Sequence, residues 1–457
     1  MHNDNIFGIF VSLAELRALL IAGALAATAL TVPATAVAAD LWSIYTLARD
    51  NDTDFQAQKF TYQAEQQVLP QARAAFRPSV TASAGGARGS EELKTDIQFA
   101  NEGRASFYSE NASIGVRQSL YDRQNRVGVD QATQQVEAAS LALLGAEQEL
   151  LLRVARRYFA VLAARDNVGL ALSNKTAIAR QLELAQERLE VGLGTRTDLF
   201  DAQARFQIAE AEEIVAKNLL DDTRRALVEI TAEIPSELAV LRDDAPLLAP
   251  DPDDVQHWVD RAMRANVPLS LQRLNVQIAQ MEISRQRSAR GPVVALNLEY
   301  RYNNTDGSIG GPGAQRDATD LGVQVTVPLY RGGLISASAQ QALHRYDAAL
   351  QVLEGRERAA LRGTRTAFGD VISTIRLVRA LQQAVAAGES ALQAKQEGFA
   401  AGLNTNLDVL DAQRDLFQDE RDYLVARYTY ILNLLNLEQV AGSLTESNLR
   451  QINTWLE

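Results

Sequence analysis
The chain has 457 residues, with 45 Lys and Arg against 57 Asp and Glu, for a formal charge of −12. That acidic balance excludes a nucleic-acid groove, which needs a basic patch. There are no cysteines and only three histidines, His2, His257 and His344. This excludes disulfides, thiolate nucleophiles, a lipid-modified N-terminal cysteine and any histidine-rich metal site.

Residues 18–39 carry no charge, follow Arg17, and end in the small residues Ala36, Val37 and Ala38. The run reads as a secretory signal over residues 1–38, cleaved near Ala38 or Ala39. The rival reading is an uncleaved anchor, because 22 apolar residues reach across a bilayer. No later stretch is long and apolar enough to span as a helix, so any membrane contact of the mature chain falls to strands.

The pattern turns helical over residues 40–76 and ends at Pro78. Alternating sequence follows at Ser79–Gly85 and again around Ala112, Ile114 and Val116, with a polar loop expected over Gly86–Arg104. A proline-free helical run then extends from Asp122 to Glu190; at about 1.5 Å per residue it reaches roughly 100 Å. A glycine turn stops it, and a return helix is expected over Asp198–Ile234. The acidic, proline-rich stretch 243–254 reads as a linker.

Beyond the linker the same order returns. A helix is expected over Pro252–Arg290, then alternation at Val294, Leu296, Leu298, Tyr300 and Tyr302. A glycine-containing loop is expected over Asn303–Asp320, then alternation at Leu321, Val323, Val325 and Val327. Period two over about nine residues is a strand with one oily and one wet face. Tyr300 and Tyr302 suit either an interfacial aromatic belt or packing within the strand. In the next helical run Leu361, Phe368, Val371, Ile375 and Val378 keep heptad spacing. Its return helix is expected over Asp408–Val440.

The order repeats because the sequence is duplicated. Residues 192–203 (GLGTRTDLFDAQ) and 402–413 (GLNTNLDVLDAQ) share seven of twelve positions at an offset of 210. Leu120-Tyr121-Asp122-Arg123 pairs with Leu329-Tyr330-Arg331-Gly332, and Arg77-Pro78 with Gly291-Pro292. Two tandem units, 39–242 and 255–442, therefore flank the linker, with 443–457 as a C-terminal tail. Four strands per chain cannot close a barrel, and an open edge in lipid leaves unpaired backbone groups at several kcal/mol each. Three chains bringing 12 strands would solve this, and would bury the long amphipathic helices together.

In the turns, Thr195 with Asp198 and Thr405 with Asp408 form T-x-x-D, the spacing of a capping box. Gly192 and Gly402 end the preceding helices. Asp408 and Asp411 lie three apart on one helix face; in a trimer they would stack as two rings of carboxylates, which favour cations and hinder anions.

The duplicated G-L-x-T-x-x-D-x-x-D-A-Q, the L-Y-D-R and L-Y-R-G strand exits and the prolines before the first strands resemble the TolC-type outer-membrane channel family, over nearly the whole mature chain. The resemblance implies a homotrimer. A 12-stranded β-barrel would sit in outer-membrane lipid of a Gram-negative cell, continued by a helical coiled-coil tunnel across the periplasm. It implies an exit duct for an inner-membrane exporter, reached through a periplasmic adaptor. The missing lipidated cysteine leans toward type I protein secretion, a branch that also serves drug pumps.

The resemblance places the periplasmic gate at Asp408 and Asp411. It places tip closure at Asp198, Asp201, Arg196, Phe399 and Asn404. Adaptor docking falls on the turns Gly192, Leu193, Thr195, Gly402, Leu403 and Thr405. Family members often carry a tyrosine three residues before the second glycine and an arginine two after it, which latch the tip. Here those positions hold Phe399 and Asn404, which cannot make the same bonds. No cofactor, metal site or nucleophile–base set is expected. The main alternative is a periplasmic coiled-coil adaptor or scaffold, which would carry one hairpin rather than two tandem strand–hairpin units.

Overall fold
The computed structural model describes residues 38–94, 103–233, 237–308 and 311–457. The expected signal segment lies, but for Ala38, outside the described residues. Helix α1 (Leu41–Asn51) opens on Asp40, whose side chain accepts from the Ser43 N–H. The single helix expected over 40–76 is in fact three: α1, α2 (Thr53–Gln66) and α3 (Val68–Ala74). The break has a local cause. Asp52 leaves the helical conformation and accepts from the Phe55 N–H at 2.7 Å, which starts a new helix. Asn266 does the same between α6 (Val255–Ala265) and α7 (Val267–Ser288).

The strands are longer than their oily segments. β1 (Ser79–Leu93) and β2 (Gly103–Asp122) form one hairpin, and β3 (Val293–Ser308) and β4 (Gly311–Thr326) the other. Most of the two stretches expected as loops, Gly86–Arg104 and Asn303–Asp320, is therefore ladder. Hairpin hydrogen bonding continues where the apolar alternation has stopped. The four strands form one antiparallel sheet in the order β1-β2-β3-β4.

Register makes the two faces distinct. Val80 pairs with Val116, Val116 with Leu298, and Leu298 with Leu321; Ala82, Ile114 and Tyr300 form the next row. Leu321, Val323 and Val325 are each at least 60% exposed. The opposite face carries Ser83, Ser113, Arg301, Asn297 and Gln324, tied by Ser83–Ser113 at 2.9 Å and an Arg301–Asp320 ion pair. Among the described residues neither β1 nor β4 has a partner on its outer edge.

Below the sheet, α4 (Arg123–Glu190) and α8 (Leu334–Ala400) run 68 and 67 residues, each about 100 Å long. Near the sheet α4 packs with α2, α3 and α7, and α8 with α7; further away α4 packs with α5 (Arg196–Thr231) and α9 (Asn406–Ala441), and α8 with α9. Both return helices have 36 residues.

The main core lies between these halves, like a belt. Leu41, Tyr45, Leu150, Tyr158, Phe159, Trp258, Tyr430, Ile431 and Leu435 are buried there together. The stretch expected as a C-terminal tail is part of it. Helix α10 (Glu446–Asn453) buries Leu449 and Ile452, and Trp455 follows them in. Val240 and Glu457 exchange backbone hydrogen bonds at 2.9 Å each. The 243–254 stretch carries no helix or strand, yet is pinned: Tyr430 bonds both backbone groups of Leu248, and Trp258 donates to Pro252 O at 2.9 Å.

Candidate functional site
The two helical turns farthest from the sheet carry the duplicated motif. Each begins with a glycine in the left-handed region, Gly192 at φ 78° and Gly402 at φ 79°. Leu193 and Gly194 N–H then donate to Arg188 O at 2.8 and 2.9 Å; Leu403 and Asn404 donate to Gly398 O at 2.8 and 3.2 Å. These bonds satisfy the last carbonyls of α4 and α8. The turns push Leu193 and Leu403 into solvent, 79% and 83% exposed.

Both return helices start in complete capping boxes. Thr195 N–H and Oγ1 donate to Asp198 Oδ2 at 3.0 and 2.7 Å, and Asp198 N–H donates back to Thr195 Oγ1 at 3.1 Å. The Thr405–Asp408 box repeats this at 2.8, 2.7 and 3.2 Å. Asp408 has an extra partner, Lys395 Nζ of α8, at 3.3 Å. The Thr405 hydroxyl first, then the Thr405 N–H and Lys395, hold its carboxyl at about 2, well below the usual range.

The expected gate pair therefore faces different neighbours. Asp408 is held within its own hairpin. Asp411 accepts from Arg205 Nη2 of α5 at 2.7 Å and lies 3.6 Å from Arg414, so it bridges the two hairpins. Arg205 has no counterpart in the sequence reading; its partner becomes visible only once the hairpins pack.

The residues expected to close the tip divide in the same way. Phe399 reaches the first hairpin, with the Arg188 guanidinium 4.1 Å from its ring centroid. Asn404 stays local, donating to Lys395 O at 3.4 Å. Arg196 lies over Phe200 of its own helix at 5.8 Å. Asp198 is occupied by its cap, and Asp201 is half-buried one turn further on. An apolar seam joins the hairpins: Leu410, 1% exposed, packs with Ile178, Ala185, Ala202 and Ala209.

Among the described residues no cluster of acidic or histidine side chains has metal-binding geometry, and no helix is long and apolar enough to cross a membrane. The features that remain are an oily-faced sheet, two long helical hairpins and the carboxylates of their turns.

The family model described as Outer membrane efflux protein matches residues 44–233 and 258–443. The Vibrio cholerae outer membrane protein TolC is 32% identical over 429 residues, covering 93% of this chain and 96% of the relative. The Dickeya chrysanthemi proteases secretion protein PrtF is 29% identical over 440 residues, covering 93% and 92%. Among solved structures, the outer membrane protein VceC of Vibrio cholerae superposes with a TM-score of 0.71 at 19% identity, over 88% of this chain and 96% of that one. The chain belongs to the outer membrane efflux protein family, and it serves in the Gram-negative outer membrane as the exit duct of an export system.

Proposed function
We propose that the duct is a homotrimer whose three sheets close one 12-stranded barrel and whose helices form a tunnel ending at the Asp408 and Asp411 turns. The observation that carries this reading is the sheet: one in-register oily face, one polar face and, among the described residues, two unpaired edges. In lipid both edges must find partners, and identical chains supply them. A second exposed strip asks for the same solution: Phe200, Ile208, Val215 and Leu219 lie 48–66% exposed along α5.

The duct does no covalent chemistry. A periplasmic adaptor docks at the turns, with Leu193 and Leu403 as apolar contacts and Gly192, Thr195, Gly402 and Thr405 fixing their shape, and links the duct to an inner-membrane exporter. The carboxylates at the constriction favour cations. The protease-secretion relative supports type I protein export as the working role. Extraction of the protein from outer membranes in mild detergent, followed by native mass measurement, is expected to give three chains. A monomer recovered from the soluble periplasm would overturn the duct and favour the adaptor or scaffold.

A further inference from the structure
Asp408 and Asp411 differ in one respect that bears on opening. Among the described residues every partner of the Asp408 carboxylate belongs to the α8–α9 hairpin: the Thr405 hydroxyl and N–H, and Lys395. When the two hairpins separate, these partners move with it. The principal partner of Asp411 is Arg205, on the other hairpin. Separation removes that partner.

The charges left behind can be named. Around Asp411 on α9 stand Asp408, Arg414 and Asp415. Arg414 turns mainly to Asp415, donating from Nε at 2.9 Å and Nη2 at 2.6 Å, and approaches Asp411 only at 3.6 Å. With Arg205 in place the helix face is largely compensated. With Arg205 withdrawn it presents an uncompensated carboxylate in each chain.

The second inter-hairpin contact lies at the same margin of the seam. Arg188, in the last turn of α4, covers Phe399, in the last turn of α8. Ala185 and Ala202, within one turn of Arg188 and Arg205, pack in the cluster that takes in Leu410. The two arginines thus flank one apolar contact, both on the first hairpin, both reaching across to the second.

We propose that Arg205 sets ion selectivity by masking Asp411 while the tip is closed. The inference rests on the reading of these turns as the constriction. Opening then does two things together: it widens the tip and exposes a further ring of carboxylates. Asp408 contributes a constant charge in both states. A flow of cargo meets a more cation-selective mouth than the resting channel presents.

The test uses the full-length trimer in planar bilayers, with lanthanum ion as a trivalent blocker and the reversal potential as the selectivity readout. Arg205→Gln is expected to raise the open fraction about two- to five-fold per chain, the range that a half-exposed ion pair supports. It is also expected to tighten lanthanum block. In the Asp411→Asn background the same change is expected to leave block unaltered. Arg205→Lys, which keeps the charge, is expected to restore most of the wild-type behaviour. Arg188→Gln is expected to raise the open fraction by a similar factor with the selectivity of the open channel unchanged. If Asp411→Asn weakens block but Arg205→Gln changes nothing, the masking is wrong and the constriction reading stands. If the Asp408→Asn, Asp411→Asn double variant leaves block and selectivity untouched, the constriction reading fails and the masking role fails with it.

Discussion
The two tandem turns fold alike but have different surroundings. Each has a left-handed glycine, a doubled bond to the carbonyl seven residues before the threonine cap, and a complete Thr–Asp capping box. Among the described residues the first-copy acid, Asp198, is bonded only within its cap, whereas its second-copy equivalent, Asp408, also holds Lys395. One turn on, Asp411 crosses to Arg205. Local sequence therefore sets the turn twice over, and packing between hairpins sets what each turn's acids can do. Duplication conserves the device that ends a helix; it leaves the electrostatics to diverge.

The far ends of the return helices extend the comparison and give the largest expected effect. Both helices end in a left-handed residue: Gly442 at φ 76° after α9 and Ala232 at φ 59° after α5. A Cβ on Gly442 would stand 2.1 Å from Ala265 O. Gly442→Ala is expected to cost about 3 kcal/mol or more, read as a drop in the thermal midpoint of the detergent-solubilised protein. Ala232→Gly should do the opposite, stabilising by roughly 1 kcal/mol by relieving the left-handed alanine. Equal effects of the two substitutions would break the asymmetry.

Next in size is the charge of the second turn. Asp408→Asn with Asp411→Asn is expected to lower the cation-over-anion permeability ratio several-fold, while Asp198→Asn with Asp201→Asn leaves it near wild type. Reversal potentials in asymmetric salt read both. A matching fall from the first-copy pair would assign the constriction to both turns.

The caps themselves are worth less and should be equal. Thr195→Ala and Thr405→Ala are each expected to cost about 1 kcal/mol, seen as faster amide exchange in the first turns of α5 and α9. The smallest effect is on pH. Asp408 is depressed to about 2 from an ordinary 3.8. Its contribution to the second turn is therefore complete above about 4 and is lost as pH falls through about 2. Amide protection at Thr405 and Asp408, taken relative to the intrinsic exchange rate at each pH, should hold steady down to about pH 4 and fall below it. Asp408→Asn should abolish that step.

Much of this was legible in the sequence, because the duplicated motif is local chemistry. Gly402, Thr405 and Asp408 sit three residues apart in a pattern that specifies a helix stop and a helix start wherever it occurs. The 68-residue α4 was readable from its unbroken helical pattern. The strand ends were not. Gly86–Leu93 and Asn303–Ser308 lack oily alternation, and only pairing with the facing strand makes them ladder. The C-terminal segment, short and polar as a string, becomes core because Leu449, Ile452 and Trp455 meet α1 and the extended segment around Val240. Arg188 and Arg205 carried no signal, since a lone arginine on a long helix gains its meaning from what packs across from it. Phe399 looked like a lost latch for the same reason: the missing hydroxyl was visible, the guanidinium over its ring was not.

The central claim is that these chains enclose a channel with an acidic, nearly closed tip. Single-channel recording of the purified protein in a planar bilayer tests it most directly. The account predicts discrete, cation-preferring openings of small conductance that become more frequent when Arg205 is replaced by Gln. A silent bilayer, or large openings with no ionic preference, would contradict it.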